Sequence, residues 1–155
     1  MTNEPDLAIL LAASYRALTD RLGEAMRAAD LAQMRPTYGF VIRAVAAEEP
    51  TVGRLAELLE VTKQAASRIA DDMQRDGFLE RVADPGDRRR ARLRLTARGR
   101  RVRERALATS AAMERELVEE LGADKVAALR EALLALVIRG GALEDVLARR
   151  ARPAW

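Results

Sequence analysis

Apolar residues recur at helical spacing along most of the chain and switch to strict alternation in one place. Leu7, Leu11, Leu18, Leu22 and Met26 fall on one stripe, widened by Ile9 and Leu10. A helix is therefore predicted from about Asp6, a suitable N-cap, to Ala29. Its stripe is wide enough for two partners, the body of the subunit and something else. A second helix begins near Pro36, carries Val41, Ile42 and Val45 inward, and ends at Glu48-Glu49-Pro50, because Pro50 cannot continue the ladder. Thr51 can cap a short third helix with Leu55, Leu58 and Leu59 on its inner face. After a tight turn at Glu60-Val61, Thr62 can cap a fourth. There Ala66, Ile69, Ala70 and Met73 share one face, and Lys63, Gln64, Ser67 and Arg68 lie largely on the other. Gly77 supplies a left-handed stop, with Phe78 placed to contact Met73.

The alternation follows. A strand is predicted through Val82, then a tip from Asp84 to Arg90. In the return strand, Ala91 to Leu95, Leu93 and Leu95 alternate with Arg92 and Arg94. Asp84-Pro85-Gly86-Asp87 supplies the turn chemistry. Helical spacing resumes from about Thr96 to Leu121 through Val102, Ala106, Thr109, Met113, Leu117 and Leu121. It continues from about Asp124 through Val126, Leu129, Leu133, Leu136 and Val137. Gly140-Gly141 breaks or hinges that helix. Leu143, Val146 and Leu147 extend an apolar face into an expected final helix on a partner chain, and Trp155 closes a short tail.

The predicted fold is mainly α with a small β-hairpin wing, a winged helix-turn-helix flanked by N- and C-terminal dimerisation helices. The expected division is residues 1–34, 35–100 and 101–155 within one structural unit. Two helices joined by a tight turn and followed by a basic hairpin form a device for reading duplex DNA.

Composition sharpens this picture. The chain has 155 residues, 49% of them apolar but only 3% aromatic, so its core is built from Leu, Val, Ile and Ala, a helix-favouring set. Net charge is only +3, yet between Arg75 and Arg105 there are about twelve arginines against about five acids, a local excess that attracts phosphate. There is no Cys and no His. That excludes disulfides, thiol switches, Cys/His zinc sites and histidine proton transfer. The polar N-terminus does not read as a signal peptide, and no apolar run approaches the roughly 18 residues needed to span a bilayer. A cytoplasmic protein with no membrane partner and no cofactor is the expectation.

Acid pairs occur at Glu48-Glu49, Asp71-Asp72 and Glu119-Glu120, but adjacent helical residues do not converge on a point. Without a nucleophile motif or a Gly-rich phosphate loop, no enzyme is expected.

The centre resembles the MarR family of bacterial transcription regulators. The resemblance is carried by Leu55-Ala56-Glu57, by Val61 to Arg68, by Gly77 to Arg81, and most strongly by Asp84-Pro85 through Asp87-Arg88-Arg89-Arg90. It closes on Leu93 to Thr96 and Gly99-Arg100, and covers about a third of the chain. Glu60 stands where a glycine is common, so a slightly altered turn is expected there. The resemblance implies a homodimer, built by intertwining the terminal helices, that binds a palindromic operator in double-stranded DNA. It further implies regulation by a small molecule held between the dimer helices and the DNA-reading lobe.

On this reading the first residues of the fourth helix meet DNA. Thr62 and Lys63 are expected on phosphates. Gln64 and Arg68 can pair bidentately with base edges, and Ser67 can reach either. In the family a tip arginine enters the minor groove and a nearby aspartate holds it. The resemblance thus assigns Arg89 to the groove and Asp87 to orienting it, with Arg88 and Arg90 on phosphates. The alternative for the wing is a surface charge run paired with Asp84 and Asp87. Tyr15, Arg16, Met34, Tyr38, Phe40, Arg43 and Met113 lie on the elements that line the family's pocket. An Arg-Tyr pair there could hold a carboxylate or phenolate, and so a small aromatic or phenolic ligand, core packing and surface pairing being the competing use of these residues. The expected function is a sequence-specific transcriptional regulator, a repressor by preference. The alternatives are a constitutive or architectural DNA-binding protein without a ligand and, disfavoured by the basic hairpin, a scaffold that binds only protein.

Overall fold

The computed structural model describes residues 5–29, 35–87 and 89–141. The elements run α1 (Leu7–Ala28), α2 (Pro36–Glu48), α3 (Val52–Leu59), α4 (Lys63–Arg75), β1 (Leu79–Ala83), β2 (Ala91–Leu95), α5 (Ala97–Leu121) and α6 (Ala123–Arg139). The expected caps form. The Asp6 carboxylate accepts the Ile9 N–H, the Thr51 hydroxyl accepts that of Arg54, and the Thr62 hydroxyl that of Ala65. Each satisfies one of the donors a helix start leaves orphaned. Thr96 does the same for α5 through Gly99 N–H, and its own hydroxyl donates to the Gly77 carbonyl at 2.6 Å.

The helix stops are equally local. Gly77 has φ +78°, and the Phe78 N–H closes back on the Met73 carbonyl at 2.8 Å, a left-handed cap that brings Phe78 inward. Glu49 and Glu60 also take left-handed backbone, at φ 44° and 54°. Glu60 therefore adopts the region that glycine occupies most cheaply, and its side chain is absorbed as strain on one residue. α6 ends at Gly140, and Gly141 turns away at φ +71°. The expected final helix, with Leu143, Val146 and Leu147, and Trp155 lie outside the described residues.

The core sits where α2, α3, α4, the hairpin and the start of α5 meet. Tyr38, Val41, Val45, Leu55, Met73, Phe78, Leu79, Leu93 and Val102 are its largest fully buried side chains. The hairpin is antiparallel with Leu79 opposite Leu95 and Ala83 opposite Ala91. Leu93 and Leu95 face the core while Arg94 faces out, as the alternation requires. The outer edge of β2 is partly covered by the chain ahead of α3. The Pro50 carbonyl accepts the Leu93 N–H at 2.9 Å, and Thr51 bridges Arg92. Sequence patterning treats Glu49-Pro50-Thr51 only as a stop and a cap, and does not foresee this pairing.

The long helices are different. α5 packs on α1 and α6, but among the buried side chains α1 contributes only Met26 and α6 only Val126. Leu7, Ile9, Leu10 and Leu18 on α1, Leu121 on α5, and Leu129, Leu133, Leu134, Leu136 and Ile138 on α6 stay exposed, with Leu7 at 61%. Among the described residues, no helix is long and apolar enough to cross a membrane.

Candidate nucleic-acid interface

α4 presents two faces because its apolar residues recur at helical spacing. Ala66, Ala70 and Met73 are buried, and Ile69 is half-buried. On the opposite face Lys63, Gln64 and Arg68 are exposed, with Ser67 half-buried at the boundary. The side chains of Lys63, Gln64 and Arg68 form no ion pair or hydrogen bond with another described residue. They are long, donor-rich and unspent. Thr62 is exposed too, but its hydroxyl is engaged by Ala65 N–H, so a phosphate there would meet the remaining free N–H groups of the first turn.

The described residues of the wing turn are tied by side-chain and backbone hydrogen bonds. The Asp84 carboxylate is almost fully buried. One oxygen accepts the Gly86 N–H at 2.8 Å and the other accepts Arg92 Nε at 2.8 Å. The Arg92 bond, then the Gly86 N–H, holds its pKa below the ordinary carboxylate value. Backbone bonds from Asp84 N–H to the Arg90 carbonyl and from Arg90 N–H to the Asp87 carbonyl close the turn.

Asp87 engages both Arg89 and Arg90. One carboxylate oxygen accepts the Arg89 backbone N–H at 3.0 Å, while the other pairs with Arg90 Nε at 3.3 Å. It fixes the path of Arg89 but does not touch the Arg89 guanidinium. The physical reason is the turn itself, which places the side chain three residues on, Arg90, beside Asp87. The Arg89 side chain is exposed and forms no ion pair with a described residue. Arg88 lies outside the described residues. Arg90 at the tip pairs with Asp87, and Arg92 on β2 pairs with Asp84.

One feature that patterning misses joins these parts. A groove of about 420 Å³ is lined by Thr51, Val52 and Gly53 at the start of α3, by Lys63 at the start of α4, and by Arg81, Arg90 and Ala91 at the wing base. Three cations and the positive end of a helix meet there with no carboxylate in the lining. Arg81 is also bonded to Asp71 at 2.5 Å. The sequence carries each residue, but they are brought together only by the fold.

The residues expected to line a ligand pocket are dispersed. Tyr15 is exposed on α1, and Arg16 makes a loose surface pair with Asp20 at 3.8 Å. Met34 lies outside the described residues. Phe40 packs half-buried against the core, Arg43 is exposed, and Met113 is buried on α5. Tyr38 is fully buried, and its hydroxyl donates to Asp76 Oδ2 at 2.7 Å. Burial first, and then the bond to Asp76, push its pKa up to about 12. The Arg–Tyr pair it forms is with Arg35, whose guanidinium lies 5.6 Å from the ring centroid, and not with Arg43. Its phenol is spent inside the subunit.

Residues 32–90 match the sequence model of the MarR family. The chain is 27% identical over 86 residues to the uncharacterized HTH-type transcriptional regulator YsmB of Bacillus subtilis (strain 168), and the match spans 56% of this chain and 59% of that protein. Among solved structures, Streptococcus pneumoniae FabT in complex with DNA superposes with a TM-score of 0.73 at 21% identity, covering 90% of this chain and 95% of that one. The apo form of wild-type MarR from E. coli gives 0.62 at 23% identity, over 87% and 99% of the two chains.

Proposed function

From a chain whose winged-helix lobe belongs to the MarR family of transcription regulators, we infer a homodimeric, sequence-specific DNA reader that represses transcription from a palindromic operator. The observation that carries this reading is the unspent polar face of α4 beside an arginine-bearing wing. Lys63, Gln64 and Arg68 project from a helix whose other face is locked into the core. Gln64 and Arg68 read base edges in the major groove, Ser67 assists, and Thr62 and Lys63 hold phosphate. Arg89 enters the minor groove, supported by its fixed backbone and free guanidinium. Arg90 serves the adjacent phosphate together with the groove at the start of α3. That its structural neighbour FabT was solved in complex with DNA supports DNA binding.

The exposed leucines of α1, α5 and α6 support the dimer. A stripe of that size left in water costs roughly 25 cal/mol per Å², and a second copy would cover it. Repression follows from occupancy, because a dimer spanning two half-sites covers DNA that a polymerase needs. The burial of Tyr38 favours a constitutive reader over release by a small phenolic ligand held at that residue.

The test is selection of duplexes from a random library by the full chain. The expected product is an inverted repeat with half-sites about one helical turn apart. Recovery of no enriched sequence would refute base reading.

A further inference from the structure

Three carboxylates gather at the C-terminal end of α4: Asp71 and Asp72 in its second half and Asp76 at its C-cap. Acids there oppose the helix dipole, which favours cations at that end, so helix propensity does not account for them. Asp71 continues the exposed face of Gln64, Ser67 and Arg68 toward the helix end, whereas Asp72 and Asp76 lie away from its centre. Each is held by another element. Asp71 receives Arg81 of β1 at 2.5 Å. Asp72 receives Arg35, the residue that caps α2, at 3.0 Å, and Arg75 of its own helix at 3.0 Å. Asp76 receives the Tyr38 hydroxyl at 2.7 Å. Arg35 lies over the Tyr38 ring, and that ring stands edge-on to Phe78 at 5.9 Å between centroids.

The apolar face of α4 leaves this grip something to do. Two of its three buried residues are alanines, Ala66 and Ala70. Such short side chains interlock weakly, so packing alone resists rotation and tilt of the helix poorly. A helix of 13 residues is about 20 Å long, and a tilt of about 5° about its far end moves the other end by about 1.7 Å. Bidentate contacts to base edges do not survive such a displacement, because hydrogen bonds weaken steeply with distance and angle.

We propose that Arg35 and Tyr38 of α2, through Asp72 and Asp76, are positioning residues that set the orientation of α4 and thereby the sequence specificity of residues they never touch. This rests on the DNA-reading function proposed above. Arg35, at the N-cap of α2, and Tyr38 are about one turn apart, as are Asp72 and Asp76, the latter at the C-cap of α4. Two adjacent rungs make the contact resist rotation as well as separation.

The test measures binding of the selected duplex and of a scrambled duplex of equal length, for wild type, R35Q, D72N, R35Q/D72N and Y38F, with melting temperatures alongside. The ratio of the two affinities cancels any uniform effect of a lost charge. R35Q, D72N and Y38F should each lower that ratio by about three- to tenfold, through weaker binding of the selected duplex. R35Q/D72N should lose no more than D72N alone, as expected for two residues acting as one unit. Arg35 is largely exposed, so R35Q should melt within a few degrees of wild type and remains informative even if Y38F folds poorly. An unchanged ratio in R35Q would overturn the proposal, as would fully additive losses in R35Q/D72N. Failure of the wild-type chain to enrich any duplex would instead overturn the DNA-reading function, and this inference with it.

Discussion

Gly99 sits in the first turn of α5, fully enclosed where that helix leaves the wing. A Cβ built there would lie 2.2 Å from the Phe78 carbonyl oxygen and 3.2 Å from a Leu95 methyl. The first is a backbone atom and cannot swing away. Two effects compete in Gly99→Ala. Alanine favours the helix by up to about 1 kcal/mol over glycine. Against that, relieving a contact about 1 Å too short forces α5 away from Phe78, an overpacking cost of roughly 1–3 kcal/mol. The same movement strains the Thr96 N–H bond to the Phe78 carbonyl, at 3.1 Å, and the Thr96 hydroxyl bond to Gly77. Each is worth about 1 kcal/mol. The clash should win, with a net loss of about 2–4 kcal/mol. For a chain of this size that is a fall in melting temperature of about 5–15 °C. Thermal unfolding followed by far-ultraviolet circular dichroism measures it directly. A Gly99→Ala variant as stable as wild type, or more stable, would refute the claim that this turn is a close backbone approach.

Arg68→Ala should lose about ten- to hundredfold in affinity for the selected duplex, with little change on scrambled DNA. Arg89→Ala should weaken binding to both more evenly and flatten the salt slope by about one, so anisotropy titrations showing the same pattern for the two variants would defeat the division of labour between helix and wing. Asp84 has its pKa lowered mainly by Arg92. Its contribution to stability is therefore complete above the ordinary carboxylate value of about 4 and disappears as pH falls through its lower folded value. Asp84→Asn should lose part of the acid limb of the stability curve, and an unaltered limb in denaturant titrations across pH would contradict the buried pairing. Tyr38 should ionise near 12 in a spectrophotometric titration, and stability linked to it should be full below about 10 and lost as pH rises through 12. A titration of Tyr38→Phe that retains this step would assign it elsewhere. Leu133→Glu, on the exposed stripe of α6, should shift the sedimentation profile from dimer toward monomer, and a wild-type chain that sediments as a monomer would remove the basis of the two-half-site geometry.

Much of the fold is legible in the chain because its signals are local. Thr51, Thr62 and Gly77 mark ends of α3 and α4 through hydrogen bonds made within a few residues. The alternation of Leu93 and Leu95 with Arg92 and Arg94 fixes which side of β2 faces the core. The site is legible only in part, because its pairings are not local. In a stretch with so many arginines, the partner of Asp87 cannot be chosen by residue type. The turn geometry places Arg90 beside it, and not the Arg89 guanidinium. The Tyr38 hydroxyl goes to Asp76, 38 positions away, a pairing that no spacing announces. The cationic groove draws on the starts of α3 and α4 and on the wing base, which no periodicity connects. Glu60 shows the reverse case. A residue type that argues for a changed turn is accommodated in left-handed backbone, since tertiary packing of α3 and α4 outweighs the strain on one residue.

The central claim is that this chain reads sequence. The most direct measurement is fluorescence anisotropy of the full chain titrated against the selected duplex and its scrambled counterpart across a series of salt concentrations. The account predicts a preference of about 10³-fold or more for the selected duplex, with affinity falling steeply as salt rises. Equal, salt-labile binding to both duplexes would contradict base reading by α4 and leave a non-specific binder. No binding to either at low salt would contradict DNA binding itself.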